Sequence, residues 1–254
     1  MCTVDNVVGH GSVRRLGYAV RLLLTSSGIA NPSIHGALED LLGKPIAESS
    51  ALFVPTGMYP FPGGGGGASQ AHRGETRSRL SNLGWKSLGL LELTALTSVQ
   101  RESWIPTIQE TDALLVWGGH VAYLCHWMRQ SGLADLLPSL ENLVYVGVSA
   151  GSIAMTPYNC DAEWNLQFLD PESDIAKAAE TSIGLVDFAV CVHLDNPDPI
   201  FEDNSTANVE RWAAGVPAPT YAIDDQTAIK VVGDTVEVIS EGHWRLFTPA
   251  AAED

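Results

Sequence analysis

The fold of this chain is decided by Leu143-Val-Tyr-Val-Gly-Val-Ser-Ala-Gly-Ser-Ile-Ala-Met-Thr156. The apolar run Leu143–Val148 predicts a buried strand, and the small residues after the serine can begin a helix. Ser149 lies on the turn between them, flanked by Gly147 and Gly151, in the Gly-x-Ser-x-Gly pattern of a nucleophile elbow. The stretch therefore predicts an exposed, nucleophilic serine. The alternative is a glycine-rich turn that only packs tightly.

Outward from this stretch, short apolar runs alternate with segments of helical spacing. The strands that we predict before it are Val20–Thr25, Ala51–Pro55, Lys86–Leu93 and Ala113–Trp117, with a helix at Ile34–Leu42. Strands separated by helices indicate βαβ units. The pattern predicts an α/β fold with a mostly parallel sheet flanked by helices.

The pattern changes after Ile183, where the apolar runs become short and turns become frequent. The predicted strands there are Val186–His193, Tyr221–Asp224, Thr227–Val232, Val236–Ile239 and His243–Phe247. We expect a C-terminal antiparallel meander that completes the same sheet or caps its edge. Residues 1–18 are interpreted as an N-terminal extension, and residues 19–254 as one hydrolytic α/β domain.

A run of five glycines, Gly63–Gly67, lies between the second and third predicted strands. Glycine loses much conformational freedom in a helix or a strand, so the run predicts a mobile surface loop or a lid. A phosphate-binding loop is disfavoured because no Lys-Ser or Lys-Thr pair follows and no strand leads directly into the run.

The composition excludes some classes of partner. The 254 residues include 30 acidic and 14 basic side chains, for a net charge of −16. Nucleic-acid binding needs a basic surface, so a nucleic-acid partner is excluded and an anionic membrane is disfavoured. Four scattered cysteines, no signal peptide and no run of ~18 apolar residues predict a cytoplasmic protein without a membrane span.

A nucleophilic serine needs a base, and His193 is the leading candidate. His193 ends the apolar run that starts at Phe188, and open α/β sheets place their sites at the carboxyl ends of strands. The alternative is a core histidine bonded to backbone. His120 follows a glycine pair at the end of another strand, a position that suits substrate binding better than proton transfer.

The serine also needs donors for a developing oxyanion. One is the N–H of Ala150, the residue after the nucleophile. The second must come from a neighbouring loop whose backbone approaches closely, and the pair Gly118-Gly119 is the best candidate.

The third member of a triad should be a carboxylate, and Asp224 and Asp225 end one short predicted strand. Adjacent residues of an extended chain face opposite ways, so only one of them can contact the histidine. The other is a candidate for substrate binding or for capping a turn. Asp195 is a weaker candidate for the acid.

Three segments also carry a family resemblance: Val116-Trp-Gly-Gly-His-Val-Ala-Tyr-Leu124, Val146-Gly-Val-Ser-Ala-Gly-Ser152 and Ile223-Asp-Asp-Gln-Thr-Ala228. They resemble the peptidase E family of serine peptidases, which includes aspartyl dipeptidases and cyanophycinase-like enzymes. The resemblance implies a flavodoxin-like fold similar to the class I glutamine amidotransferases, with no metal or organic cofactor. It also implies Ser149 as nucleophile, His193 as base and Asp225 as orienting acid. Gly119 and Ala150 would supply the oxyanion donors.

Two departures from the family pattern bear on specificity. The family usually has Glu-Gly where this chain has Asp225-Gln226. The aspartyl dipeptidases have a Thr-Arg pair about fourteen residues after the histidine, whereas the matching stretch here has no arginine before Arg211. A carboxylate clamp needs a guanidinium in the right place, so aspartate specificity is not expected.

Three functional hypotheses follow. The first is a serine exopeptidase or dipeptidase that acts on short peptides, with a homodimer as a reasonable assembly. The second is an esterase of the α/β-hydrolase type, in which His243 follows Asp224 or Asp225 and serves as the base. The third is a relative that binds a ligand in the same fold without turning it over.

Overall fold

The computed structural model describes residues 8–9 and 21–249 of the chain. Most of the predicted extension 1–18 therefore lies outside the described residues. The exception is Val8–Gly9, which forms a strand at one edge of the main sheet.

Within the residues that the structure describes, eleven strands form two sheets. In chain order they are β1 Val8–Gly9, β2 Arg21–Thr25, β3 Ser50–Val54, β4 Ser87–Leu90, β5 Ala113–Val116, β6 Val144–Val148, β7 Ala189–Cys191, β8 Thr220–Ile223, β9 Thr227–Val232, β10 Thr235–Ser240 and β11 Trp244–Phe247. The main sheet has the order β1-β10-β9-β2-β6-β5-β3-β4, and β11, β8 and β7 form a separate three-stranded sheet.

Helices cover the connections between these strands. They are α1 Pro32–Leu42, α2 Gly64–His72, α3 Leu93–Leu96, α4 Arg101–Gln109, α5 Val121–Gln130, α6 Leu133–Leu136, α7 Ala150–Ile153, α8 Ala162–Leu166, α9 Asp174–Lys177 and α10 Thr206–Ala213. Short 3₁₀ turns occur at Ile46–Glu48, Thr56–Met58, Leu137–Ser139 and Pro199–Asn204. None of the helices in the described part of the chain is both long and apolar enough to span a bilayer.

The centre of the main sheet is parallel, as predicted. Strands β2, β6, β5, β3 and β4 pair in parallel, whereas β9 joins β2 in antiparallel orientation. The register sets Thr25 opposite Val148, and Gly147 opposite Val116. The carboxyl ends of β2, β6 and β5 therefore meet at one edge of the sheet, next to Ser149.

Burial on both faces of β6 explains its unbroken apolar sequence. Val144, Val146 and Val148 pack in the core cluster that includes residues of α1, and Tyr145 packs in the cluster on the α5 side. Successive side chains of a strand face opposite ways, so β6 contributes to both layers at once. Its end is therefore a rigid support for the turn that follows.

The predicted C-terminal meander is only partly correct. Strands β9 and β10 do complete the main sheet as an antiparallel pair. Strand β8 instead pairs in parallel with β7 and antiparallel with β11, in the second sheet. The chain thus changes sheets at the turn between β8 and β9, which contains the two neighbouring aspartates. Similarly, the third predicted strand ends at Leu90, and Leu93 already begins α3.

The prediction of a loop at the five-glycine run is wrong, because α2 begins at Gly64. Gly63 precedes the helix with φ 73°, a left-handed conformation that glycine adopts readily. A β-carbon on Gly64 would lie 2.0 Å from the carbonyl oxygen of Met58. Ala68 and Ala71 are buried. Packing of this helix against the rest of the protein outweighs the low helix propensity of glycine.

Candidate active site

Ser149 occupies a strained turn between β6 and α7. Its φ of 51° and ψ of −114° lie outside the ordinary regions for a residue with a side chain. A β-carbon on Gly147 would lie 2.7 Å from the backbone of Gly151, and one on Gly151 would lie 2.2 Å from the carbonyl oxygen of Val116. Both glycines are therefore required for the close approach of α7 to the sheet.

Hydrogen bonds to the neighbouring strand hold this turn. The N–H of Ser149 and the hydroxyl of Ser152 both donate to the carbonyl oxygen of Thr25, at 3.0 and 2.7 Å. On the other side, the Tyr145 hydroxyl donates to the carbonyl of Gly151 at 2.6 Å. The strained conformation persists because backbone and side-chain contacts surround it.

His193 reaches Ser149 from the second sheet, two residues beyond the end of β7. Its Nε2 lies 3.0 Å from Ser149 Oγ. The ring is mostly buried and stacks on Phe201, with 4.0 Å between centroids and 20° between planes. The backbone of His193 has φ 56°, and its N–H donates to Ser26 Oγ at 2.8 Å. The position of the imidazole is thus fixed by stacking on Phe201 and by the backbone hydrogen bond of His193 to Ser26.

Asp225 orients this histidine. Its Oδ1 lies 2.7 Å from His193 Nδ1 and accepts a second hydrogen bond from Ser26 Oγ at 2.7 Å. Its Oδ2 accepts from Asn196 Nδ2 at 2.6 Å. Burial acts to raise the pKa of Asp225, but the hydrogen bond and charge of His193, with those from Ser26 and Asn196, outweigh it and lower the pKa. A carboxylate only accepts, so Nδ1 carries the proton and Nε2 can accept from Ser149.

The other carboxylates considered from the sequence lie elsewhere. Asp224 is buried and accepts from the Thr227 hydroxyl at 2.6 Å and from the N–H of His243 at 2.8 Å, so it stabilises the turn between sheets. Asp195 accepts from the N–H of Thr206, at the start of α10, at 2.7 Å. As expected for neighbours in extended chain, only one of the two adjacent aspartates contacts the histidine.

The glycine pair Gly118-Gly119 lies against the serine. A β-carbon on Gly118 would be 3.1 Å from Ser149 Cβ. Gly119 has φ 128° and packs on the carbonyl of Gly57, which accepts from the N–H of His120 at 2.8 Å. Within the described residues, the N–H groups of Gly119 and Ala150 donate to no other group.

His120 is placed differently from a residue that contacts substrate directly. Its side chain is fully buried, and its Nδ1 accepts from the N–H of Tyr123 at 3.2 Å, which caps α5. Histidine at this position therefore stabilises the helix that follows the glycine pair. Across residues 8–9 and 21–249, no group of three or more His, Cys, Asp or Glu side chains is arranged to hold a metal ion.

Ser26 and Asn196 are the contacts that the sequence reasoning missed. Ser26 follows β2 directly, and β2 is the neighbour of β6, so its place at the end of a central strand was the available signal. Asn196 lies in the Leu-Asp-Asn-Pro segment after His193. Neither residue type indicates by itself that it bonds a buried carboxylate.

Comparisons with known proteins identify a matching family model and solved structures of similar fold. The model of peptidase family S51 matches residues 22–239. A crystal structure from Listeria monocytogenes EGD-e, assigned as a peptidase E protein, is 18% identical with a TM-score of 0.59, covering 88% of this chain and 100% of that one. A peptidase from an acI-B1 actinobacterium is 14% identical with a TM-score of 0.57, covering 94% of this chain and 96% of that one.

A search of curated proteins found no match. The two structural neighbours share the α/β fold. Because they are only 18% and 14% identical to this chain, the likeness shows the fold alone. The family model spans most of the chain, from the second residue of β2 into β10, and includes the serine turn, the histidine and both aspartates. This chain therefore belongs to peptidase family S51 and is a serine peptidase.

Proposed function

We propose that this protein is a small exopeptidase or dipeptidase that hydrolyses short peptides through an acyl-enzyme intermediate. The single observation that carries the proposal is the continuous chain of hydrogen-bonded groups from Ser149 through His193 to Asp225, with distances of 3.0 and 2.7 Å. Among these hydrogen-bonded groups, Ser149 is the nucleophile, His193 the general base and Asp225 the orienting acid.

The reaction follows from the positions of these atoms. Ser149 Oγ attacks the scissile carbonyl carbon while His193 Nε2 takes the hydroxyl proton. The carbonyl oxygen becomes negative and is met by the N–H groups of Gly119 and Ala150, each worth about 3–4 kcal/mol in the transition state. His193 then gives its proton to the departing amine, and water repeats the sequence to release the acyl group.

The strained turn supports this assignment of the nucleophile. The left-handed conformation of Ser149 is costly, by roughly 1–3 kcal/mol, and is retained by contacts on both sides. It directs Oγ away from the sheet toward His193, in the geometry that a nucleophile elbow requires. A turn that served packing alone would gain nothing from a serine in this conformation.

The substrate class is proposed to be short peptides without a preference for aspartate. The arginine nearest to the family's specificity position, Arg211, lies exposed on α10 and donates to Asn208 Oδ1 at 3.0 Å. We propose further that the protein acts in the cytoplasm, and that it forms a homodimer.

The esterase hypothesis depends on His243, and its surroundings are different. Its side chain is 56% exposed, and its Nδ1 lies 3.1 Å from Asp224 Oδ2 while its Nε2 lies 3.4 Å from Asp195 Oδ2. These contacts occupy both ring nitrogens with carboxylates. We therefore assign the role of general base to His193.

The experiment is labelling by a fluorophosphonate probe, read by intact mass, on the wild type and on Ser149→Ala, His193→Ala and His243→Ala. We expect labelling to be lost in the first two variants and kept in the third. Loss in His243→Ala with retention in His193→Ala would contradict the proposed base.

A screen with a dipeptide library follows on the wild type. Release of amino acids that is absent from Ser149→Ala would support the peptidase proposal. A labelled serine without turnover of any peptide or simple ester would instead favour a relative that binds its ligand without turning it over.

A further inference from the structure

A cavity of about 480 Å³ lies beside His193 and Asp225, and its other lining residues take no part in the proton transfers of the proposed mechanism. The residues around it include Arg77, Ser78, Asp198 and Phe201 as well as the histidine and the acid. Its volume lies in the range of small-molecule sites, ~300–1,000 Å³. The cavity is large enough for one amino-acid residue and its terminal group.

Arg77 is the one lysine or arginine among the residues that line this cavity. Its side chain is exposed, and it makes no hydrogen bond or ion pair within the described part of the chain. An arginine fork that is not already occupied can bind a carboxylate through two parallel hydrogen bonds.

The chemistry of the proposed reaction determines which end of a peptide would enter this cavity. The acyl oxygen must lie near Gly119 and Ala150, whereas the departing amine must lie near His193 Nε2, which protonates it. Gly118 lies against Ser149, whereas the residues that line the cavity include His193 and neither the glycine pair nor Ala150. Because His193 protonates the departing amine, we assign the cavity to the leaving group.

We propose that this cavity receives the C-terminal residue of the substrate and that Arg77 binds its free carboxylate. The inference rests on the proposed function and names its substrate class: peptides whose last residue, with an unblocked carboxyl terminus, is the leaving group. The enzyme then releases one amino acid from the carboxyl end in each cycle, which is also the outcome for a dipeptide.

The other charges around the cavity fit such a product. Cleavage of the C–N bond forms the Ser149 ester, and His193 supplies the proton that completes the amine, so an amino acid with both an amine and a carboxylate is released. Asp198 and Asp225 lie in the same cavity as Arg77. Once the amine has taken a further proton from water, Asp198 carries the negative charge that the ammonium prefers, and Arg77 carries the positive charge that the carboxylate needs.

The test compares peptides that differ only at the carboxyl terminus. A panel with varied first residues and a C-terminal leucine, each as the free acid and as the amide, is assayed with the wild type and with Arg77→Gln. We expect kcat/KM to favour the acid by roughly ten- to hundredfold in the wild type, mainly through KM, and the preference to fall to near one in the variant.

Arg79→Gln is the matched control. Arg79 lies two positions further along the same segment, is also exposed, and lines a different cavity with Ile29 and His35. It should keep the wild-type preference. Equal rates for acid and amide in the wild type, or an undiminished preference in Arg77→Gln, would overturn the assignment. The assignment would also be overturned if Arg77→Gln changed only the preference between an acidic and an amide side chain at the first residue of the peptide.

A binding measurement separates this inference from the proposed function. Free amino acids and their amides are titrated into Ser149→Ala, with and without Arg77→Gln, and followed by the shift in melting temperature. If the free amino acids stabilise the protein, their amides do not, and the effect disappears with Arg77→Gln, the subsite is supported even when the wild type turns over no peptide. Peptide hydrolysis without any Arg77-dependent binding would leave the peptidase proposal standing and refute the subsite.

Discussion

The two halves of the candidate site are built in different ways. The serine half is a continuous segment, β6, Ser149 and α7, held by backbone contacts to the neighbouring strands. The histidine half joins residues from three separate places: Ser26 after β2, His193 after β7 and Asp225 after β8. Hydrogen bonds of 2.7–2.8 Å link these three residues, and Asn196 adds one of 2.6 Å to Asp225.

This difference teaches where each half can tolerate change. In the serine half there is no room for additional atoms, so substitutions should disturb the fold itself. In the histidine half each partner contributes one or two hydrogen bonds, so substitutions should lower the rate in steps while the fold persists.

Gly151→Ala should be the most damaging change. The added methyl carbon would lie 2.2 Å from the carbonyl oxygen of Val116, so α7 must move away from the sheet. We expect destabilisation by about 4 kcal/mol or more, or failure to fold, together with loss of probe labelling. Thermal denaturation of the purified protein measures the effect.

Gly65→Ala is the control for glycine itself. Gly65 lies in α2, and nothing lies within 4 Å of where its β-carbon would be. Alanine should therefore stabilise the protein by about 0.5–1 kcal/mol, because helix propensity alone decides the outcome. If both substitutions shifted the melting temperature alike, close packing would not be the reason for the elbow glycines.

Asp225→Asn should leave the fold intact and lower kcat by about 10⁴-fold. The amide can donate to His193 Nδ1, which would leave the proton on Nε2 and remove the acceptor for Ser149. Asp224→Asn is the comparison, because Asp224 bonds Thr227 and the backbone of His243. It should reduce stability and leave kcat within a few-fold. Steady-state kinetics with denaturation curves would refute the assignment if the two effects were exchanged.

Ser26→Ala should have an intermediate effect. It removes the hydrogen bond to Asp225 and leaves the N–H of His193 without its acceptor. We expect kcat to fall by roughly ten- to hundredfold with little change in KM. Ser49→Ala is matched to it, since Ser49 is also fully buried and bonds the carbonyl of Pro45 at 3.0 Å, far along the chain from the triad. A similar fall in kcat in both variants would reduce Ser26 to a structural role.

The smallest expected effect is the dependence of stability on pH through Asp225. Its pKa is lowered in the folded protein, so the ionised form is stabilised above the unfolded pKa of about 3.9, and that stabilisation is lost as the pH falls through the lower, folded value. The difference in unfolding free energy between wild type and Asp225→Asn should be constant near neutral pH and shrink below about pH 4. A difference that grew on acidification would contradict the direction of the shift.

Much of the fold was predictable because its signals are local. The predicted strands that end at Thr25, Trp117 and Val148 became parallel strands within one or two residues of their predicted bounds. The glycine run was misassigned because propensity carries no information about the tight packing at Gly64. The second sheet was missed for a related reason, since pairing of β7 with β8 joins segments separated by almost thirty residues.

By itself, the sequence determined the serine turn, since a buried strand, two glycines and a helix start within a dozen residues leave few other conformations. It also favoured two neighbouring aspartates over Asp195 as the acid, and alternation in an extended chain allows only one of the two to face the histidine. Only the tertiary structure decided that Asp225 is that one, and that Ser26 and Asn196 bond it. Those contacts join residues up to 199 positions apart, and their geometry depends on how two sheets pack and not on any local pattern.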